Sequence, residues 1–315
     1  MSFSNDVKKE LTKMKIDSKM ERILELSSIL KTNASISIRN ALINISFSTE
    51  SEDVAKKIYK SINKLYEYEP TISMTYNNTI MKEGVYTITV ENEEVAKRIL
   101  HDSVLDMYGG YLENTEIVLS RIKSKEKYIK AYLRGAFLGG GSIVDPEKNY
   151  HLEIVLTGKE DAEIVFECLN QLNIEALKTE RKSKYIVYIK NSDLIADFLA
   201  VIGAQNSMLE LENIRIVKQM RNDINRLVNC DTANINKTIM TAMNQIRDIN
   251  IIEESPNCQI PENLMEIAKL RKEHPHESLK RIGELCNPPM SKSGVAHKLK
   301  KIKEIADKCK KNQLP

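Results

Sequence analysis

Two eleven-residue stretches, LSSILKTNASI from Leu26 to Ile36 and LRGAFLGGGSI from Leu133 to Ile143, share an apolar run, a small-residue turn and a closing Ser-Ile, 107 residues apart. Asn33 and Gly140 occupy equivalent places in the two turns. A side chain there that carried oxygen could bind a cation, but Asn33 offers one neutral oxygen and Gly140 none. A second set of chemistry-bearing residues lies near the C-terminus. Ser291, Lys292, Ser293, Gly294, His297, Lys298, Lys300 and Lys301 supply hydroxyls, an imidazole and ammonium groups, with a glycine that permits close approach. These groups donate hydrogen bonds to phosphate oxygens and to base edges.

The elements that position the first set follow from periodicity. Residues 5–14 and 20–31 read as helices, the second with Ile23, Leu24, Leu26, Ile29 and Leu30 on a broad apolar face. Alternation over 35–48 around a turn at Arg39-Asn40 predicts a hairpin. Thr49 and Glu52 form a capping-box pattern for a helix ending near Tyr66. Residues 71–76 and 79–91 around Asn77-Asn78 predict a second hairpin, and a helix follows from Glu93 to about Met107. The same order returns after Ser124: a helix to Leu138, strands at 142–144 and 151–156, a helix over 160–172, strands at 174–179 and 185–189, and a helix over 192–202. A repeated αββαββα unit implies one pseudo-twofold domain of two similar halves. Its repeated helices cross at the axis, where Ser27, Ser28, Gly135, Gly139, Gly140 and Gly141 allow the backbones to approach.

This pair of elements resembles the LAGLIDADG motif of homing endonucleases, in which each copy supplies one acid to a metal-dependent DNA-cutting centre. The resemblance implies that positions 33 and 140 would carry those acids. Metal-assisted phosphodiester hydrolysis needs carboxylates to hold hard cations. With Asn33 and Gly140 in their place, the expectation is a domain that keeps the architecture without the chemistry: no catalytic residue, no metal and no cofactor. Asp145 and Glu147 lie past the turn, where they do not replace a ligand at the helix end.

Charge and composition narrow the class further. The chain of 315 residues is 42% apolar and 29% charged, the composition of an ordinary globular protein, and its net charge is +3. Residues 261–315 hold 13 Lys/Arg against 7 Asp/Glu, so the basic character is concentrated at the C-terminal end. Charge alone fits either a nucleic-acid-binding face or a solvated lysine-rich one. No apolar run is long enough for a membrane span and no secretory h-region opens the chain, which predicts a cytoplasmic protein. Cys168, Cys230, Cys258, Cys286 and Cys309 stand singly, without metal-ligand spacing, and read as reduced thiols.

Beyond the repeat, residues 208–227 and 236–249 read as two helices separated by the polar run 229–234. Arg215, Lys218, Arg221 and Arg226 could meet phosphate there, though Glu210, Glu212 and Asp223 balance much of their charge. The segment IIEESPNCQIP marks a boundary. Helices then fall at 262–273 and 277–286, with a third beginning after Pro288-Pro289 and capped by Ser291 or Ser293. In the third, Val295, Leu299, Ile302 and Ile305 form an apolar stripe. Lys308, Lys310 and Lys311 extend its basic character. Two short helices about a tight turn form a helix-turn-helix whose last helix reads DNA from its N-terminal end.

The whole chain resembles the WhiA family, through MSFSNDVKKEL, YLRGAFLGGGSI, RLVNCDTANINKT and SLKRIGELCNPPMSKSGVAHKLKKI. That resemblance implies a sequence-specific binder of double-stranded DNA acting in bacterial cell division, chromosome segregation or transcription, cytoplasmic and nucleoid-associated. Ser278, Lys280 and Arg281 of the last motif join the candidate DNA contacts. The expected organisation is α+β: half-domains at 1–124 and 125–205, a helical linker at 206–255 and an all-α helix-turn-helix domain at 256–315. Two alternatives remain, a protein-interaction scaffold for a sigma factor or RNA polymerase, and an active endonuclease.

Overall fold

Ser18 accepts a hydrogen bond from the Glu21 amide and starts a helix over Lys19–Asn33, which carries the first repeated stretch. In the computed structural model, residues 2–39, 42–75, 84–105, 109–256 and 258–311 are described. They fall into two units, Met1–Lys218 and Gln219–Pro315.

In the first unit, α1 (Phe3–Thr12) and α2 (Lys19–Asn33) precede β1 (Ala34–Arg39), β2 (Leu42–Thr49), α3 (Glu52–Tyr66), β3 (Thr71–Thr75), β4 (Val85–Val90) and α4 (Glu93–Asp102). After α5 (Thr115–Lys123), the pattern repeats as α6 (Glu126–Gly140), β5 (Gly141–Ile143), β6 (Leu152–Leu156), α7 (Lys159–Gln171), β7 (Leu177–Arg181), β8 (Lys184–Ile189) and α8 (Ser192–Ile202). The two antiparallel sheets have the same order, β1-β2-β4-β3 and β5-β6-β8-β7. Equivalent pairings, Ala34 with Phe47 and Gly141 with Ile154, follow the two helices in the same register. The inward side of each strand supplies the core, with Ile43, Ile45 and Phe47 from β2 and Leu152, Ile154 and Leu156 from β6 all buried.

Several expectations change. The cap of α3 is Ser51, whose Oγ accepts the Val54 amide; Thr49 ends β2 and its hydroxyl accepts the Ser51 amide instead. The helix expected to reach Met107 stops at Asp102, with Ser103 as C-cap. Helix α5 is an addition to the expected order: it is short and, with Val118 and Ile122 as its only fully buried residues, carries too few apolar positions to show a period. The turn residue Asn40, the turn Asn77-Asn78 and Met107 lie outside the described residues.

The repeated helices pack most closely where α6 meets α2. A Cβ at Gly135 would lie 2.3 Å from the Glu25 carbonyl oxygen, so no larger residue fits this crossing without moving a backbone. The approach buries a charged triad: Arg134 Nε donates to Glu25 at 2.5 Å, and Lys57 Nζ lies 3.2 Å from the other carboxylate oxygen. Lys57 also donates to the Leu11 carbonyl and Arg134 to that of Ile202, so the triad joins α1, α2, α3, α6 and α8.

Helix α9 (Gln205–Glu254) passes through both units as one element, not two helices. The polar run 229–234 contains neither Pro nor Gly, and polarity alone does not break a helix. In the second unit α10 (Glu262–Glu273), α11 (Leu279–Leu285) and α12 (Lys292–Lys311) pack around Leu264, Ile267, Ile282, Val295, Leu299 and Ile302. The buried Arg271 donates to the carbonyls of His274 and Glu277 and so holds the connection between α10 and α11. Cys258 and Cys309 form a disulfide, which corrects the reading of all five cysteines as thiols. Their separation of 51 residues gives no local spacing signal; the packing of the last turn of α12 brings them together. Cys168, Cys230 and Cys286 are free.

All twelve tyrosines and five phenylalanines precede residue 199, so aromatic signals report on the first unit alone. Glu25→Ala leaves Arg134 and Lys57 buried without a counter-charge and should lower the unfolding free energy of that unit by about 3–5 kcal/mol, read by near-ultraviolet circular dichroism in urea. A loss below about 1 kcal/mol, the size of an exposed pair, would overturn the central role of the triad. For the second unit, Cys309→Ser or reduction removes a cross-link worth about 4 kcal/mol in the chain-entropy account of a loop this long. Amide exchange in α12 should therefore accelerate on reduction, and unchanged exchange would refute that contribution.

Candidate nucleic-acid interface

The first candidate centre sits where α2 and α6 end. The Asn33 side chain has both polar atoms buried and without a protein hydrogen-bond partner. At Gly140 a Cβ would stand 2.3 Å from the Val155 carbonyl oxygen, so an acid could not be placed there without displacing β6. These residues do not fit a divalent cation: one is neutral and the other has no donor. Among the described residues, no group of three or more His, Cys, Asp or Glu is placed to hold a metal ion.

Beside this centre lies a buried polar chain instead. Lys31 Nζ donates to the Tyr111 hydroxyl at 2.8 Å and stands 4.2 Å from the centroid of its ring. The Tyr111 hydroxyl donates to Asp161 at 2.5 Å. Thr157 adds a bond from its hydroxyl to the Lys31 carbonyl. The chain therefore links the N-terminal repeat, through Lys31 and Tyr111, to α7 of the second. Burial lowers the Lys31 ammonium to about 8, with the Asp161 charge opposing the shift. Burial likewise raises the Asp161 carboxyl, against the opposing effects of Lys31 and the Tyr111 hydrogen bond.

The second candidate set is carried by α11 and α12. Ser278 caps α11, its Oγ accepting the Arg281 amide, and Arg281 pairs with Glu284 at 2.9 Å. Lys280 is exposed. The connection to α12 is closed by the Met290 amide donating to the Gly283 carbonyl. Ser291 is the cap of α12: its Oγ accepts the Gly294 amide and lies 3.0 Å from the Ser293 hydroxyl. Ser278, Ser291 and Arg281 thus spend bonding capacity within the fold, while Lys280, Lys292, Ser293 and His297 are exposed. Gly294 is half-buried against Met290.

Residues of a helix advance by about 100° each, so the lysines of α12 do not share one surface. Val295, Leu299, Ile302, Ala306 and Cys309 are buried and fix its inward side; Ile305, expected in this stripe, is only half-buried. Ser293, His297, Lys301 and Lys308 lie on the opposite, exposed side. Lys298 is half-buried on one flank. Lys300, one i+7 step from Ser293, stands at the edge of that exposed side, and with Lys303 and Lys310 on the other flank it lines a cleft against the C-terminal part of α9. The side chain of Lys311 lies outside the described residues. Near the domain junction, Arg215 pairs with Glu212 and Asp193, and Lys218 donates to the Pro146 carbonyl, so those two cations are engaged within the first unit.

A mixed domain of two α+β repeats followed by a helix-turn-helix unit defines the class. Three family descriptions match in succession: "WhiA N-terminal LAGLIDADG-like domain" over residues 19–105, "WhiA LAGLIDADG-like domain" over 129–221 and "WhiA C-terminal HTH domain" over 224–306. Proteins named "Probable cell division protein WhiA" are similar along the full length. That of Clostridium botulinum (strain Hall) is 40% identical, covering 98% of this chain and 99% of the relative. That of Thermoanaerobacter sp. (strain X514) is 39% identical and covers 100% of both. The crystal structure of full-length WhiA from "Thermatoga maritima" is 28% identical, with a TM-score of 0.59, over 98% of this chain and 99% of that one. The chain belongs to the WhiA family.

The buried lysine gives a pH test. The unfolded chain holds the Lys31 proton more tightly than the folded chain does, so the unfolded state carries the extra proton between pH 8 and its ordinary value of 10.5. Stability therefore rises with pH across that window. Relative to Lys31→Met, the wild-type chain should gain on the order of 2 kcal/mol between pH 7 and pH 10, measured by urea unfolding. Parallel pH profiles for the two proteins would refute the assignment.

Proposed function

We propose that this protein is a non-catalytic, sequence-specific binder of double-stranded DNA that acts in bacterial cell division, chromosome segregation or transcription at the nucleoid. The observation that carries this reading is the exposed side of α12, where Ser293, His297 and Lys301 stand opposite the buried stripe at the N-terminal half of a helix containing eight lysines and two acids. A helix presented in this way offers its first turns to a major groove while flanking ammonium groups meet the phosphates. Lys292, Lys298 and, from α11, Lys280 supply such flanking charge. Ser278 with Arg281 and Ser291 with Gly294 close the N-terminal caps that set the geometry of the two helices.

In this reading residues 256–315 are the reader, 206–255 the connector, and 1–124 with 125–205 a paired scaffold. Asn33 and Gly140 mark the former place of metal ligands. The neutral oxygen at one position and the backbone contact at the other support a domain without hydrolytic chemistry. The names of the relatives support the link to division.

Binding to a fixed duplex should weaken linearly on a log–log salt plot. Lys298→Ala combined with Lys301→Ala should weaken binding to every sequence by about tenfold or more and reduce the salt slope by about 2. Ser293→Ala or His297→Ala should alter the preferred sequence at smaller cost in non-specific affinity. Competition binding with randomised duplexes reads both effects. Unchanged affinity and preference in all these variants would reject α12 as the reader, and reproducible magnesium-dependent nicking by the purified protein would reject the non-catalytic reading. Retention of a sigma factor or polymerase with no DNA affinity would favour the scaffold.

A further inference from the structure

We propose that the cleft between the C-terminal part of α9 and the Lys300 flank of α12 binds a small phosphorylated ligand of nucleotide size. The cleft lies wholly within the second unit and has a volume of about 520 Å³, inside the range of small-molecule sites of roughly 300–1,000 Å³. Arg247, Lys300 and Lys303 line it, and none of the three forms an ion pair or side-chain hydrogen bond among the described residues. Lys310, the fourth cation, is held by Asp248 at 3.3 Å and Asp307 at 3.4 Å. Four cations against these two acids give the lining a net charge of +2, with Arg247, Lys300 and Lys303 the cations that neither acid engages.

The rest of the lining sets the chemical class. Leu279, Ala296 and Leu299 give one apolar wall, able to cover a planar or hydrocarbon group. Asn244 and Gln245 add amides, and the Gln245 Oε1 is buried with no protein partner. Cations for phosphate, amides for a polar edge and an apolar wall are the complement of a nucleoside phosphate. At 100° per residue Ser293, Ala296, Lys300 and Lys303 follow one another along one stripe of α12, with His297 and Lys301 on its outer side. The site therefore borders the proposed reading surface on the same helix. Bound phosphate would place negative charge against α12 and lower its affinity for DNA, and by linkage DNA would lower affinity for the ligand by the same factor.

The test uses the full chain without DNA and titrates it calorimetrically with pyrophosphate, ATP and GTP at low salt. At least one probe should bind, and binding should fall tenfold or more in Arg247→Ala/Lys303→Ala and in Ala296→Leu, which narrows the cleft without removing charge. No binding by any probe, or equal binding by the wild type and both variants, overturns the proposal. DNA binding is measured in parallel without ligand. If the double variant loses DNA affinity and about two units of salt slope while Ala296→Leu leaves probe binding intact, the cleft serves DNA phosphates, and the small-ligand site is rejected. Failure of the reading helix would appear instead in the Ser293 and His297 variants, so the two proposals fail separately.

Discussion

The first unit is organised around the carboxylate of Glu25. It receives Arg134 across the helix crossing and Lys57 from α3, and those two side chains continue to the carbonyls of Ile202 and Leu11. The contact exists only because residue 135 has no side chain, since the Glu25 backbone oxygen occupies the space a Cβ would need. A buried ion triad is a weak source of net stability compared with an apolar cluster of equal volume. It is nevertheless a strong penalty on any packing that separates its members. Sliding α6 by one turn along α2 would leave Arg134 buried without its carboxylate and Glu25 with Lys57 alone, so this crossing is specified as well as stabilised.

The same proximity governs the ends of the two helices. Gly140 turns into β5 with the β6 backbone against it, and the equivalent Asn33 is enclosed with its amide unbonded by protein groups. Around this point the two repeats have diverged although their strands keep one register. At the offset of 107 residues, Glu25 corresponds to Tyr132 and Lys31 to Leu138, so ionic groups of the first copy are replaced by an aromatic and an aliphatic one in the second. Lys31 finds its partner through Tyr111 in Asp161. Pseudo-symmetry of the backbone is thus combined with an asymmetric polar interior, and the centre of the domain is packed as a core.

The repeat was legible because hydrophobic periodicity and small residues are local signals that occur twice. The hairpins, the α6 turn and the three helices after Pro261 could be placed for the same reason. Long-range partners were not legible. Glu25, Arg134 and Lys57 look like ordinary solvated charges on amphipathic helices, and only the tertiary crossing shows that they share a buried site. Cys258 and Cys309 carry no spacing signature either. The polar run 229–234 suggests a loop within α9, yet it holds neither Pro nor Gly and the helix continues through it. Ser51 displaced Thr49 as a cap because β2 extends further than its alternation suggested. Of the C-terminal candidates, residue type identified the chemistry, but only the register of α12 assigned each residue to a side.

That register decides which side of the basic helix each lysine occupies. Val295, Leu299 and Ile302 fix the rotation of α12, and Ala306 and Cys309 carry the same side to its end. Once this rotation is set, Lys301 must face outward, Lys298 must flank α11, and Lys300 and Lys303 must flank α9, whatever partner each meets. Net charge gives the helix a long-range attraction for polyanions without saying which side they reach. The apolar side supplies that selection. A substitution in the buried stripe would therefore redirect every lysine of the helix by rotating it.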